Sequence, residues 1–164
     1  MYDIQYALIL GLVMGLGGTM LMDIWALLLN RFAGMALPNW GAVGRWVLCL
    51  PKVFHNDIST VEQKPSEVQV GWVFHYAVGI AYGLIFVLIA GQEWIEAPSF
   101  IPLWLFAIVT IAAGWFFLQP GLGLGWALSK TDAPWEGRIW GLVAHTVFGI
   151  GMWIPVYLIT LANQ

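Results

Sequence analysis

The chain is short of charge and almost without cysteine. Its 164 residues hold six Lys and Arg, nine Asp and Glu, and one cysteine. Only 9% of the residues are charged, against about 25% in an ordinary soluble domain. So few charges cannot cover a water-soluble surface. Disorder is excluded as well, because it needs low hydrophobicity and high net charge. Six bases in a chain of net charge −3 make no basic patch, which removes nucleic acid as a partner. Cys49 alone rules out an intramolecular disulfide framework and a multi-cysteine metal site. What the chain has instead is apolar bulk, 60% hydrophobic and 15% aromatic, with a mean hydropathy of +0.81. The lipid bilayer is its expected solvent, and residues 1–164 read as one transmembrane domain.

A span needs about 20 mostly apolar residues. Four segments supply one, at about 4–29, 72–90, 100–118 and 139–161, and Asp23 is the one formal charge inside them. Barrel strands alternate polar and apolar residues, and these runs do not. Helices satisfy their own backbone groups, as hydrocarbon requires. The fold class is therefore all-α, a four-transmembrane-helix bundle. The first segment is not read as a signal peptide. Met1-Tyr2-Asp3 carries no base, the apolar run is too long, and no small-x-small cleavage site follows.

Arg31, Arg45, Lys52 and Lys64 lie between the first two spans, and Lys130 and Arg138 between the last two. The remaining connection and the terminal segments hold no Lys or Arg. The positive-inside rule makes the two basic connections cytoplasmic and puts both termini on the periplasmic or exterior side. The first connection reads LPNWGAVGRWVLCLPKVFH over residues 37–55. It suits a short interfacial helix or a segment folded back on the bundle, with an apolar loop as the plainer alternative. His55, beside Asn56 and Asp57, reads as a solvated loop residue. The run Pro120-Gly121-Leu122-Gly123-Leu124-Gly125 lacks the strand and lysine of a phosphate-binding loop, and reads as turn and close packing.

Spans two and four share Gly-x-Val-x-His-x-x-x-Gly-Ile, at Gly71 to Ile80 and at Gly141 to Ile150. This suggests an internal two-plus-two repeat of parallel type, whose halves would be related by an axis along the membrane normal. Residues four apart share a helix face. Gly71, His75, Gly79 and Gly83 thus form one stripe, and Gly141, His145 and Gly149 another. Gly11, Gly15 and Gly18 give the first span a similar small face, continued by Thr19 and Asp23. Such spacing lets membrane helices approach closely.

Asp23, His75 and His145 are expected to form a polar layer between the helices, with Thr19 beside it. Ionisable groups inside a membrane turn inward and mark functional sites by default. Four readings compete. In one, the three residues only bridge helices. In another they line a binding or transport site for a small ligand, ion or lipid, with Asp23 as proton or cation acceptor. A b-type haem held by His75 and His145 needs one imidazole from each of two helices. A transition metal on His75, His145 and Asp23 would use a His-His-carboxylate set. No nucleophile elbow is present, so an enzyme is the less favoured class.

The segments Gly-Gly-Thr-Met-Leu-Met-Asp-Ile-Trp (17–25), Gly-Trp-Val-Phe-His-Tyr-Ala-Val-Gly-Ile-Ala-Tyr (71–82), Gln-Pro-Gly-Leu-Gly (119–123) and His-Thr-Val-Phe-Gly-Ile-Gly-Met (145–152) resemble a group of small bacterial inner-membrane proteins classed as a domain of unknown function. The resemblance spans nearly the whole chain. It implies a four-helix architecture in the inner membrane and supplies no activity, cofactor or site residue. Three function classes stay open: a ligand-binding or transport module, an accessory subunit of a membrane complex or homo-oligomer, and a haem or metal protein.

Overall fold

The structure, a computed structural model, describes residues 4–162, and among them there is no strand. The helices are α1 (Ile4–Ala33), α2 (Trp40–Leu48), α3 (Glu67–Glu96), α4 (Phe100–Ala113), α5 (Gln119–Leu122) and α6 (Pro134–Ala162). A π-helical turn, Gly114–Leu118, joins α4 to α5 without a break, so Phe100–Leu122 forms one rod. α1, α3, this rod and α6 are four helices long and apolar enough to cross a membrane. Each contains one of the expected spans and overshoots it. Thirty residues of helix run to about 45 Å, beyond a hydrocarbon core of about 30 Å. The expected end of the second span coincides with a kink in α3 at Gly91, whose φ is +73°.

α1 is the central helix, with α3 against one side and α6 against the other; α4 packs on α6. Lipid is as apolar as leucine, so close packing rather than exclusion from water holds such helices together. Glycines supply the closeness. Gly11 and Gly15 of α1 lie against Gly83 and Gly79 of α3, where a Cβ on any of the four would run into the facing helix. Gly17 and Gly18 of α1 meet α6 in the same way, Gly17 against the carbonyl of Gly151. Pro155 in α6 has no N–H to bond that carbonyl, which lies four residues earlier. Met14, Met152, Val87, Leu103 and Val156 are fully buried around these crossings.

Both glycines of the α6 stripe face α4: Gly141 meets Ile111 and Trp115, and Gly149 meets Ala107 and Trp104. Gly71 differs from the rest of its own stripe. It faces the backbone of Trp40 and Gly44 in α2, not another long helix. The apolar first connection is thus a short helix folded back on α3. Asn39 caps it by accepting the Ala42 N–H. Arg45 points inward from α2, only 6% exposed, and clamps the connection. It pairs with Glu67 and donates through Nη1 to the carbonyls of Ile58 and Val61.

The glycine-rich run closes the same end of the bundle. Gly121 sits under the Trp46 indole, and Gly123 adopts φ +91° to end α5. His55 corrects the solvated-loop expectation. It is buried at 8% exposure, and both its backbone N–H and Nδ1 lie 3.2 Å from the Gly121 carbonyl. The two basic connections therefore pack on one another.

A candidate intramembrane ligand site

α3 and α4 meet at one end only. There Tyr82 reaches the Thr110 carbonyl, Phe86 packs on Phe106 at 5.2 Å, and Trp94 donates to the Ser99 carbonyl. Toward α2 the two helices separate around a cavity of about 260 Å³. Its walls come from α1 (Thr19), α2 (Trp40, Trp46), α3 (Phe74, His75, Tyr82), α4 (Thr110, Ala113), the π-turn (Phe117) and α6 (His145, Phe148). A π-turn widens a helix locally and often marks a functional site. Here it turns Phe117 and Leu118 into the cavity wall. The lining is mostly aromatic and aliphatic with a few polar groups, as in small-molecule sites generally.

Asp23 and His75 meet. The carboxylate Oδ1 is 3.1 Å from His75 Nε2, and Oδ2 accepts the Tyr76 hydroxyl at 2.9 Å. Both side chains of the pair are sheltered, at 14% and 15% exposure. Trp40 stacks on the imidazole with ring centroids 4.0 Å apart. His75 faces the cavity just described, whereas Asp23 lines a second one, of about 400 Å³, between α1, α2 and the start of α3. The Asp23–His75 bond thus stands between two hollows.

His145 does not reach Asp23. Its Nδ1 lies 3.0 Å from the Ala107 carbonyl and 3.1 Å from Thr110 Oγ1, both on α4. The expected three-membered layer is therefore two separate hydrogen-bonded groups that share a cavity. In each, a histidine from the recurring Gly-x-Val-x-His pattern bonds a residue of the preceding long helix. Thr19 lines the cavity too, and its hydroxyl donates to the Gly15 carbonyl at 2.8 Å. Thr146 on α6 accepts from the Trp104 indole at 3.2 Å.

This arrangement does not suit a His-His-Asp metal site. Among the described residues no group of three or more His, Cys, Asp and Glu could hold a metal ion. About 150 Å³ accommodates one benzene ring, so the observed volume suits a single substituted ring.

Sequence reasoning missed Tyr76, Trp40 and the Gly17–Gly151 contact. A search along the four-residue stripe from His75 passes over Tyr76, one residue on and about 100° round the helix. Even so, both side chains converge on one carboxylate. The pair Gly149-x-Gly151 was a visible signal for a second small face on α6.

A sequence model of a family described as "Protein of unknown function (DUF2938)" matches residues 12–159. No curated protein and no solved structure matches the chain.

Proposed function

The chain belongs to the DUF2938 family, whose description assigns no activity, and from that premise we propose that it binds a small, largely apolar molecule inside the membrane. The observation that carries this reading is the cavity of about 260 Å³ between α3 and α4, walled by aromatic rings and by two imidazoles from different helices. A purely structural pair of histidines would be packed against neighbours, since an unfilled volume forfeits dispersion contacts. Both histidines border open space instead.

We place the protein in a bacterial cytoplasmic membrane as a multi-pass protein. Supporting this are the six bases, all in two connections that pack together at one end of the bundle through His55 and Gly121. On the positive-inside rule that end faces the cytoplasm.

The test is purification in mild detergent, solvent extraction and mass spectrometry of what comes with the protein. Ala113 lines the cavity on α4, and Ala113→Phe adds a ring to that wall. The native protein should release a small molecule in near-stoichiometric amount. The variant should unfold at a similar temperature and release little. Equal release from both, or none from the native protein, would overturn the reading.

A further inference from the structure

The hydrogen-bond polarity of the cavity says what kind of molecule it takes. His75 Nε2 faces a carboxylate oxygen and His145 Nδ1 faces a carbonyl oxygen. Both partners only accept, so both of those nitrogens carry the proton. In the neutral form of each ring the lone pair then lies on the other nitrogen, Nδ1 of His75 and Nε2 of His145. Those two atoms bond no protein group among the described residues, and neither is sealed from contact.

The other polar groups of the wall have spent their hydrogens. Thr19 donates to the Gly15 carbonyl, Thr110 to Ala107, and Trp46 to Val53. Tyr82 points at the Thr110 carbonyl, a longer contact at 3.5 Å. Trp40 alone keeps its indole N–H free of a protein acceptor among the described residues. The cavity is therefore rich in acceptors and poor in donors, and its complement is a ligand that donates. Its volume admits one substituted ring. Aromatic walls, with Trp40 already stacked on His75, suit a flat π-system.

We propose that the cavity binds a dihydroxylated aromatic ring of the hydroquinone class, its two hydroxyls donating to His75 Nδ1 and His145 Nε2. This rests on the reading of the cavity as a ligand site and adds the ligand's chemistry. Asp23 is a positioning residue. It touches no part of the ring and fixes the Nε2–H tautomer of His75, so that Nδ1 stays an acceptor. The same ring chemistry occurs in free phenols and in lipid-borne quinols.

The probes are a decyl-substituted 1,4-dihydroxybenzene, its 1,4-dimethoxy ether and the corresponding quinone. Each is titrated calorimetrically, under argon, into the full chain in phospholipid nanodiscs, with empty nanodiscs as blank. A site built to accept hydrogen bonds discriminates strongly against an analogue that lacks the donors. The dihydroxy probe should bind at least tenfold more tightly than the other two. His145→Phe should bring it down to the level of the ether. Asp23→Asn should narrow the preference for hydroxyl over ether, a ratio that general destabilisation would not move. Tail-less methylhydroquinone separates the sources, binding as tightly as the decyl probe if the natural ligand is a soluble phenol and much more weakly if it is a lipid. Equal binding of all three probes, abolished by Ala113→Phe, would overturn the hydroquinone assignment and leave the cavity reading standing. So would failure of every probe while a co-purifying molecule is still lost in Ala113→Phe. No probe binding and no co-purifying molecule would remove both.

Discussion

Thr19 of α1 occupies the space that a side chain on Gly79 of α3 would need. A Cβ built on Gly79 falls onto the Thr19 hydroxyl, with Thr19 Cβ and the Gly15 carbonyl 3.3 Å away. The two residues are thus coupled by size across the α1–α3 crossing.

Gly79→Ala should destabilise the bundle by about 1–3 kcal/mol, the usual cost of overpacking. Thr19→Ala in the same chain removes the obstructing oxygen and should recover most of that loss. The check is a double-mutant cycle of unfolding in mixed micelles. Simple addition of the two single effects would show that they do not share this space.

Arg45 and Glu67 form a two-pronged pair, Nε to Oε2 and Nη2 to Oε1, both at 2.8 Å. The bond to Glu67 raises the Arg45 pKa further above its ordinary value, and the cation is permanent at any working pH. Lysine has one ammonium and cannot reproduce the fork while also reaching the Ile58 and Val61 carbonyls. Arg45→Lys should lower the melting temperature by several degrees, and Glu67→Gln should do likewise. The double variant should be little worse than either. Thermal scans of the three, with limited proteolysis of residues 49–66, test this.

Asp57 caps the short 3-10 turn Ile58–Thr60, which presents the Ile58 carbonyl to Arg45. Hydrogen bonds from the Ser59 side chain and from its backbone N–H hold the Asp57 pKa below the ordinary carboxylate value of 3.8. A depressed carboxylate contributes stability that is fully present above the unfolded pKa and is lost as pH falls through the folded one. The native protein should therefore lose part of its stability between about pH 4 and the lower folded value. Asp57→Asn keeps a capping oxygen without a titrating group and should show a flatter acid limb. Melting temperatures from pH 6 to pH 3 decide it. The contribution is small, since Asp57 is exposed and screened by solvent.

Gly91 and Gly114 both have open space where a Cβ would go, and their backbones differ. Gly91 has φ +73°, while Gly114 is helical at φ −64°. Gly114→Ala should stabilise by about 0.5–1 kcal/mol, because alanine restricts the unfolded chain more than glycine does. Gly91→Ala should destabilise by about 1–3 kcal/mol, because φ +73° with ψ −176° is backbone that essentially only glycine adopts. Denaturation in micelles should give opposite signs for the two.

The number and place of the long helices were legible in the sequence. Apolar run length and the scarcity of charge are local properties, and the bilayer leaves helix as the economical answer. The small faces were legible too. Gly11 and Gly15 do meet Gly79 and Gly83, since four-residue spacing fixes which residues share a face. Periodicity says nothing of the partner, which is why Gly71 was expected against a long helix and lies on α2. The burial of Arg45 and His55 was illegible for a similar reason. Each is satisfied by backbone carbonyls from distant segments, and no composition or spacing announces those.

By itself the sequence determined the solvent of this protein, its four apolar helices and the three ionisable side chains that hydrocarbon forces inward. The tertiary structure alone decided which of those side chains touch. Helix rotation and the lateral order α3–α1–α6–α4 joined His75 to Asp23, tied His145 to α4 and left the space between them open. These are matters of packing between chain segments far apart in sequence, and a pattern read along one helix carries no record of the angle at which its neighbour arrives.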